Sequence, residues 1–206
     1  MPPWAQRRGV TVEASSSADA AGYEELLEGA ESLAYLLDGL VADPLWSDAA
    51  RVLLTGPGSA LLTGALADTG RMPEIEICES AAGLAVLRAQ VEDQDAVSWS
   101  QLADRGQRGE VDLAVASLAL THRTDDEAAA LLGQLAQAAS TVVVVESSRP
   151  DGLSPRAAEA ALHSFAVTGA PLRDSEAIAA LGARAGWRIS RVVSLGWGVE
   201  ATVLER

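Results

Sequence analysis

The chain has 206 residues, a hydrophobic fraction of 49% and a formal net charge of −14 from 29 acidic and 15 basic residues. That length predicts one domain with a full hydrophobic core. The charge repels a phosphate backbone, which argues against nucleic acid and anionic membrane as partners. Cys78 is the single cysteine, so no intramolecular disulfide or cysteine zinc site is expected. With only His122 and His163, a histidine-rich metal centre is not expected either. No apolar run has the length of a membrane span, and Arg7 and Arg8 are not followed by an apolar signal region. A cytoplasmic protein is the expectation.

Residues 1–22 are rich in Ala, Ser, Pro and charge, have no apolar period, and read as a mobile tail with Trp4 as its one large apolar group. Residues 23–50 form a second segment. Leu26, Leu27, Leu33, Leu36, Leu37, Leu40 and Val41 recur at helical spacing opposite Glu24, Glu25, Glu28 and Glu31, which predicts one amphipathic helix over 23–41. Asp43-Pro44 ends it. Its wide apolar stripe has two readings: it packs on the rest of the chain, or it builds a dimer.

Residues 51–206 read as one α/β domain. Val52–Thr55 is an apolar run that breaks at Gly56-Pro57-Gly58 and resumes with helical spacing through Leu66, a buried strand feeding a helix. Further strands are predicted over 74–79, 96–99 and 111–116, with a helix over 81–90. Thr124-Asp125-Asp126-Glu127 fits a capping box and starts a helix running to about residue 138. Thr141–Glu146 is a strand whose first five residues are all β-branched, as expected of a strand covered on both faces. Ser154-Pro155 starts a helix to about residue 167, and Asp174 or Ser175 caps another. Two final strands, 187–194 and 199–204, are separated only by a short Gly196-Trp197-Gly198 turn, so they are antiparallel neighbours. The alternation predicts a three-layer α/β sandwich with a mostly parallel seven-stranded sheet, order 3-2-1-4-5-7-6.

In such a sheet, ligands lie at the carboxyl ends of the strands. That edge gathers the Gly56–Ser59 turn, Glu79, Trp99 and the segment from Ser117 to Arg123. A glycine turn opening a helix lets a ligand approach backbone N–H groups, and it equally serves as a tight βα turn that binds nothing. Glu79 lies 21 residues beyond Gly58 at a strand end, where a carboxylate can accept hydrogen bonds from both hydroxyls of a ribose or simply face solvent.

Five stretches resemble the class I S-adenosylmethionine-dependent methyltransferases, and within them the small-molecule O-methyltransferases of plant and actinobacterial secondary metabolism. They are TGPGSALL, IEICES, THRTDDEAAALLGQLAQAA, TVVVVESSRPDG and FAVTGAPLRDSEAIAALGARAGWRISRV. The resemblance implies a Rossmann-like methyltransferase fold and S-adenosylmethionine held by Gly56, Gly58, Ser59, Glu79, Trp99 and Ser117. It implies His122 as the general base that takes the proton of a hydroxylated, aromatic acceptor. It places His163 and Glu146 at the acceptor pocket. It also implies a homodimer, or a complex with a related chain, built by segments ahead of the first strand. No metal is implied.

The chain departs from the family pattern at several places. Leu54 and Ala60 stand for an acidic residue and a glycine around the turn, with Pro57 inside it. Ser98-Trp99-Ser100 stands where an acidic residue follows the third strand, and Arg123-Thr124 replaces an acidic residue and a tryptophan after His122. Two readings therefore stay open: a methyltransferase, or a methyltransferase-like scaffold that acts as an auxiliary subunit, a cyclase or a rearrangement enzyme.

Overall fold

The computed structural model describes residues 20–31, 33–91, 95, 97–107, 109–148, 158, 162, 165 and 170–206. Of the predicted helix over 154–167 only residues 158, 162 and 165 are described, and of the predicted tail over 1–22 only residues 20–22, which are helical.

Seven strands form one sheet: β1 (Arg51–Thr55), β2 (Glu74–Glu79), β3 (Val97–Gln101), β4 (Leu113–Ser117), β5 (Thr141–Ser147), β6 (Arg188–Gly196) and β7 (Val199–Glu205). Their order is β3-β2-β1-β4-β5-β7-β6. β1 to β5 pair in parallel, and β7 runs antiparallel to both β5 and β6. The predicted order and the reversed last strand are both present. The hairpin turn is made by Gly196, Trp197 and Gly198, all at positive φ (100°, 52° and 75°), which is where glycine carries no steric cost.

Alternation along each strand divides the core in two. Val52 and Leu54 of β1 and Val143 and Val145 of β5 face one layer. Leu53, Val142 and Val144 face the other. The first layer holds α1 (Ala20–Glu31), α2 (Leu37–Val41), α3 (Ser59–Asp68) and α4 (Ala81–Gln90). The second holds α5 (Asp125–Ala138) and α6 (Ser175–Ala183). Trp187 closes that layer, buried, with its indole N–H donating to the carbonyl of Leu132 at 3.0 Å.

The segment before the sheet differs from the continuous helix its period predicts. It breaks after α1, makes one 3-10 turn over Ala34–Leu36 and resumes as the short α2. At the break Leu33 takes φ −109° and ψ 2°, and the Leu36 N–H closes a tight turn onto the Leu33 carbonyl at 3.0 Å. A straight helix would carry its stripe past the sheet. The break lets Leu36, Leu37 and Leu40 follow Tyr23, Leu27 and Ala30 into the same core. Of the predicted stripe, Leu27, Leu36, Leu37 and Leu40 are buried within the chain and Leu33 is half-buried. The stripe is therefore largely used up in covering the sheet.

This cover lies over the carboxyl ends of β1, β4 and β5. Among the described residues a small apolar cavity lies between Leu33, Leu36 and Leu37 on one side and Gly58, Ser117 and Val145 on the other.

Candidate functional site

The turn after β1 is built by packing. A Cβ on Gly56 would fall 2.3 Å from the Ser117 carbonyl oxygen, and Gly56 has φ 96°. A Cβ on Gly58 would fall 2.1 Å from the Ser117 hydroxyl oxygen. Both glycines are thus required by the close approach of β4's end. The turn's N–H groups are also engaged inside the chain. Gly56 donates to a Glu79 carboxylate oxygen at 2.9 Å, Gly58 to the Ser117 carbonyl at 3.2 Å, and Ser59 to the Gly56 carbonyl at 3.0 Å. The Ser59 hydroxyl donates to that same carbonyl at 2.7 Å. Of the two readings the sequence leaves open for this turn, a ligand cradle and a tight βα turn, the N–H groups of Gly56, Gly58 and Ser59 serve the second by pointing inward.

Glu79 ends β2 and is 1% exposed, so the solvent-facing alternative is replaced by a buried carboxylate. One oxygen, Oε2, accepts from the Gly56 N–H, from the Thr55 hydroxyl at 3.3 Å and from the Tyr23 phenol at 3.4 Å. The other, Oε1, accepts from the Ser80 N–H at 2.8 Å and faces the Arg123 guanidinium at 3.6 Å. Tyr23 arrives from α1. Its ring lies against Gly83 of α4, where a Cβ would stand 2.6 Å from the ring. Burial, and then the Glu79 charge, push the Tyr23 pKa well above the ordinary tyrosine value, so the phenol remains a donor.

The second cluster surrounds the loop between β4 and α5. β4 ends at Ser117, and Leu118 turns with φ 55° while its N–H donates to the Val145 carbonyl at 2.8 Å. Glu146, at the end of β5, accepts from the Leu120 N–H at 2.5 Å and from the Thr121 hydroxyl. Burial pushes its pKa from 4.5 to about 7, against the pull of these donors and of Arg173 and Arg123. His122 follows directly. Burial, and then the neighbouring Arg123, lower its pKa from 6.5 to about 4, so the ring is neutral at pH 7, and its buried Nδ1 has no hydrogen-bond partner among the described residues. The Arg123 guanidinium also donates to the Ala119 carbonyl. The predicted capping box then starts α5, with Glu127 accepting from the Thr124 N–H at 2.9 Å.

Arg173, just ahead of α6, clamps the same loop and was not singled out by the sequence. Its buried guanidinium donates to the carbonyls of Leu120 at 2.7 Å and Arg123 at 2.8 Å, and to Asp125 at 2.8 Å. Its only sequence signal is its place ahead of the Asp174 cap, which accepts from the Ala177 N–H at 2.8 Å.

The structure thus brings Gly56, Gly58, Ser59, Glu79 and Ser117 together, and sets His122 and Glu146 on one loop and the strand beside it. Trp99 is not with them. β3 continues two residues past it, because Ser100 and Gln101 pair with Cys78 and Glu79. Trp99 is therefore inside the strand. It packs on the first core layer, with the Arg88 guanidinium 5.3 Å from its ring. His163 lies outside the described residues. Among the described residues no cluster of His, Cys, Asp and Glu could hold a metal, and no helix is long and apolar enough to cross a membrane.

No family model matches the sequence, and no curated protein matches it. Solved structures do. The mitomycin 7-O-methyltransferase MmcR superposes with a TM-score of 0.77 at 18% identity over 97% of this chain and 61% of its own. The chain has the class I methyltransferase fold. PigF, solved with SAH, gives 0.77 at 17% identity over 98% of this chain and 65% of its own. Human N-acetylserotonin methyltransferase, solved with SAM, gives 0.74 at 14% identity over 96% and 59%. The chain spans about three fifths of the length of these neighbours. They act on or bind what their names state; this chain shares their fold.

Proposed function

We propose that this chain is an S-adenosylmethionine-dependent O-methyltransferase of a small hydroxylated acceptor, with Glu79 holding the cofactor's ribose and His122 taking the acceptor's proton. The observation that carries this reading is the surroundings of Glu79. A carboxylate buried at the carboxyl end of β2, beside the β1 turn, already accepts from two hydroxyl groups, those of Tyr23 and Thr55. A vicinal diol asks for the same chemistry from the same place in the fold.

S-adenosylmethionine, when bound, supplies an electrophilic methyl group. Glu79 fits its ribose as an acceptor of hydroxyl hydrogen bonds. The Gly56–Ser59 turn shapes the neighbouring wall and offers no donor of its own, since its N–H groups are engaged within the chain. His122 is neutral and holds a buried Nδ1, without a partner among the described residues, that can accept a proton. Its lowered pKa makes it a weak base in this arrangement, and an anionic acceptor oxygen beside it would raise that pKa toward working pH. The Arg173 clamp and Glu146 hold the His122 loop in place. Catalysis then rests on positioning the acceptor for in-line displacement.

A second reading is favoured by the same site. Both oxygens of Glu79 are engaged by Tyr23, Thr55, Gly56, Ser80 and Arg123. This suits a scaffold that serves a partner chain without transferring methyl.

Calorimetric titration with S-adenosylmethionine and its demethylated product separates the readings. Binding, weakened by about 1.5–3 kcal/mol in Glu79→Ala as one hydrogen bond to a charged group requires, supports the methyltransferase. No heat at about 1 mM ligand, which corresponds to roughly −4 kcal/mol, leaves the scaffold.

A further inference from the structure

We propose that Tyr23 and Arg123 lock the ribose-binding carboxylate, so that the N-terminal helix α1 gates cofactor entry. This rests on the cofactor reading of Glu79 given above.

The lock has a part on each side of Glu79. Tyr23 places a phenol O–H against Oε2 at 3.4 Å, the kind of donor a ribose hydroxyl would be. Tyr23 is 2% exposed and its ring is wedged against Gly83, where a Cβ would stand 2.4 Å from Glu79 and 2.6 Å from the ring. Arg123 places a guanidinium 3.6 Å from Oε1, and the same group is tied to the Ala119 carbonyl on the loop that carries His122. The carboxylate therefore joins three segments distant in sequence: α1, the β1 turn and the His122 loop.

In this arrangement a diol reaches Glu79 by taking the place of the phenol on Oε2 or of the guanidinium on Oε1. The Thr55 hydroxyl and the Gly56 and Ser80 N–H groups belong to the strands and turn that build the seat, and they need not move. Tyr23 and Arg123 are different. One sits on α1, packed in the first core layer, the other on the loop after β4, where its side chain is 19% exposed. Cofactor binding then swaps a phenol for a ribose and loosens α1. Whatever holds α1 down, or draws it away, sets the affinity.

The sequence pattern agrees with this division of roles. An acidic residue at position 123 would repel Glu79 and keep the carboxylate open; the arginine here closes it. Ala substitutes poorly for Tyr23 as packing, so its ring and its hydroxyl are tested separately.

The test titrates the full chain and three variants with the demethylated cofactor product by calorimetry, with thermal melts to confirm folding. Arg123→Leu and Tyr23→Ala are expected to bind about tenfold more tightly than the wild type, the weight of one displaced hydrogen bond to a charged group. Tyr23→Phe, which removes the same hydrogen bond and keeps the ring, is expected to tighten binding by a similar factor. In the wild type, ligand should speed hydrogen exchange at α1 amides. Equal binding by all four proteins overturns the lock and leaves the cofactor reading standing. Weaker binding by folded variants overturns it by making Tyr23 and Arg123 part of the seat. No binding by any folded variant removes the cofactor reading, and the lock with it.

Discussion

Glu146 and His122 should make opposite and nearly cancelling contributions to the pH dependence of stability. Glu146 ionises at about 7 in the folded chain against 4.5 ordinarily. Its raised pKa favours the fold below pH 4.5, and that contribution is lost as the pH rises through 7, because the unfolded chain gives up the proton first. His122 titrates at about 4 against 6.5. Its contribution is present above pH 6.5 and is lost as the pH falls through 4, because the unfolded chain takes up the proton first. At 1.36 kcal/mol per pKa unit, each term approaches about 3 kcal/mol, less for His122, which is only partly buried.

The wild type should therefore show little net slope from this pair between pH 4.5 and 6.5. The single variants should uncover it. In urea unfolding across that range, Glu146→Gln leaves the His122 term alone, so its stability relative to wild type should climb with pH by about 2–3 kcal/mol. His122→Gln should fall relative to wild type by a similar amount, about 2 kcal/mol. Glutamine at 146 keeps an acceptor for the Leu120 N–H, so the loop is not unpinned by the change itself. A difference between Glu146→Gln and wild type that stays flat to within about 0.5 kcal/mol from pH 4.5 to 7.5 would refute the buried-carboxylate account.

Gly58→Ala should destabilise the chain by about 1–3 kcal/mol through its collision with Ser117, and Gly58→Ala/Ser117→Gly should recover most of that loss in the same urea assay. Arg173→Met should cost about 2–4 kcal/mol, because it strands the Leu120 and Arg123 carbonyls, and hydrogen exchange should show the 118–125 loop opening first. Leu37→Glu should cost at least about 4 kcal/mol, since it puts a carboxylate into the core cluster. Light scattering should then show unfolding or aggregation; a folded variant of lower mass than wild type would instead assign this helix to an assembly interface.

The sheet was legible because its strands are short apolar runs bounded by turn residues, and the Gly196–Gly198 turn left no room for a crossover. The break in the first helix was not. Leu33, Leu36 and Leu37 keep a helical period across it, and the bend comes from where the core lies, which only tertiary contact defines. β3 ran past Trp99 because pairing with β2 carried it on, although Ser100 and Gln101 have no apolar signal. The place of Glu79 was legible from its spacing. Its partners were not: Tyr23 stands 56 residues away, and nothing in the period of α1 separates a residue that fills core from one that also donates to a carboxylate.

That contrast bears on which features of the site speak for a ligand. The glycines do not, because Gly56 and Gly58 are required by Ser117, and Gly83 by Tyr23 and Glu79, with or without a cofactor. Leu54 does not either; it is buried between Ile77 and Val115 as its strand partners, and an apolar residue there serves the core. Glu79 has no such account. Burying a carboxylate costs several kcal/mol before its partners offset any of it, and an apolar side chain of similar volume would hold α1 against the sheet at least as well. A buried carboxylate at a strand's carboxyl end, ringed by hydroxyl donors and one guanidinium, is a poor choice for stability alone. It is a good one for exchanging partners, which is what binding a diol at that place requires.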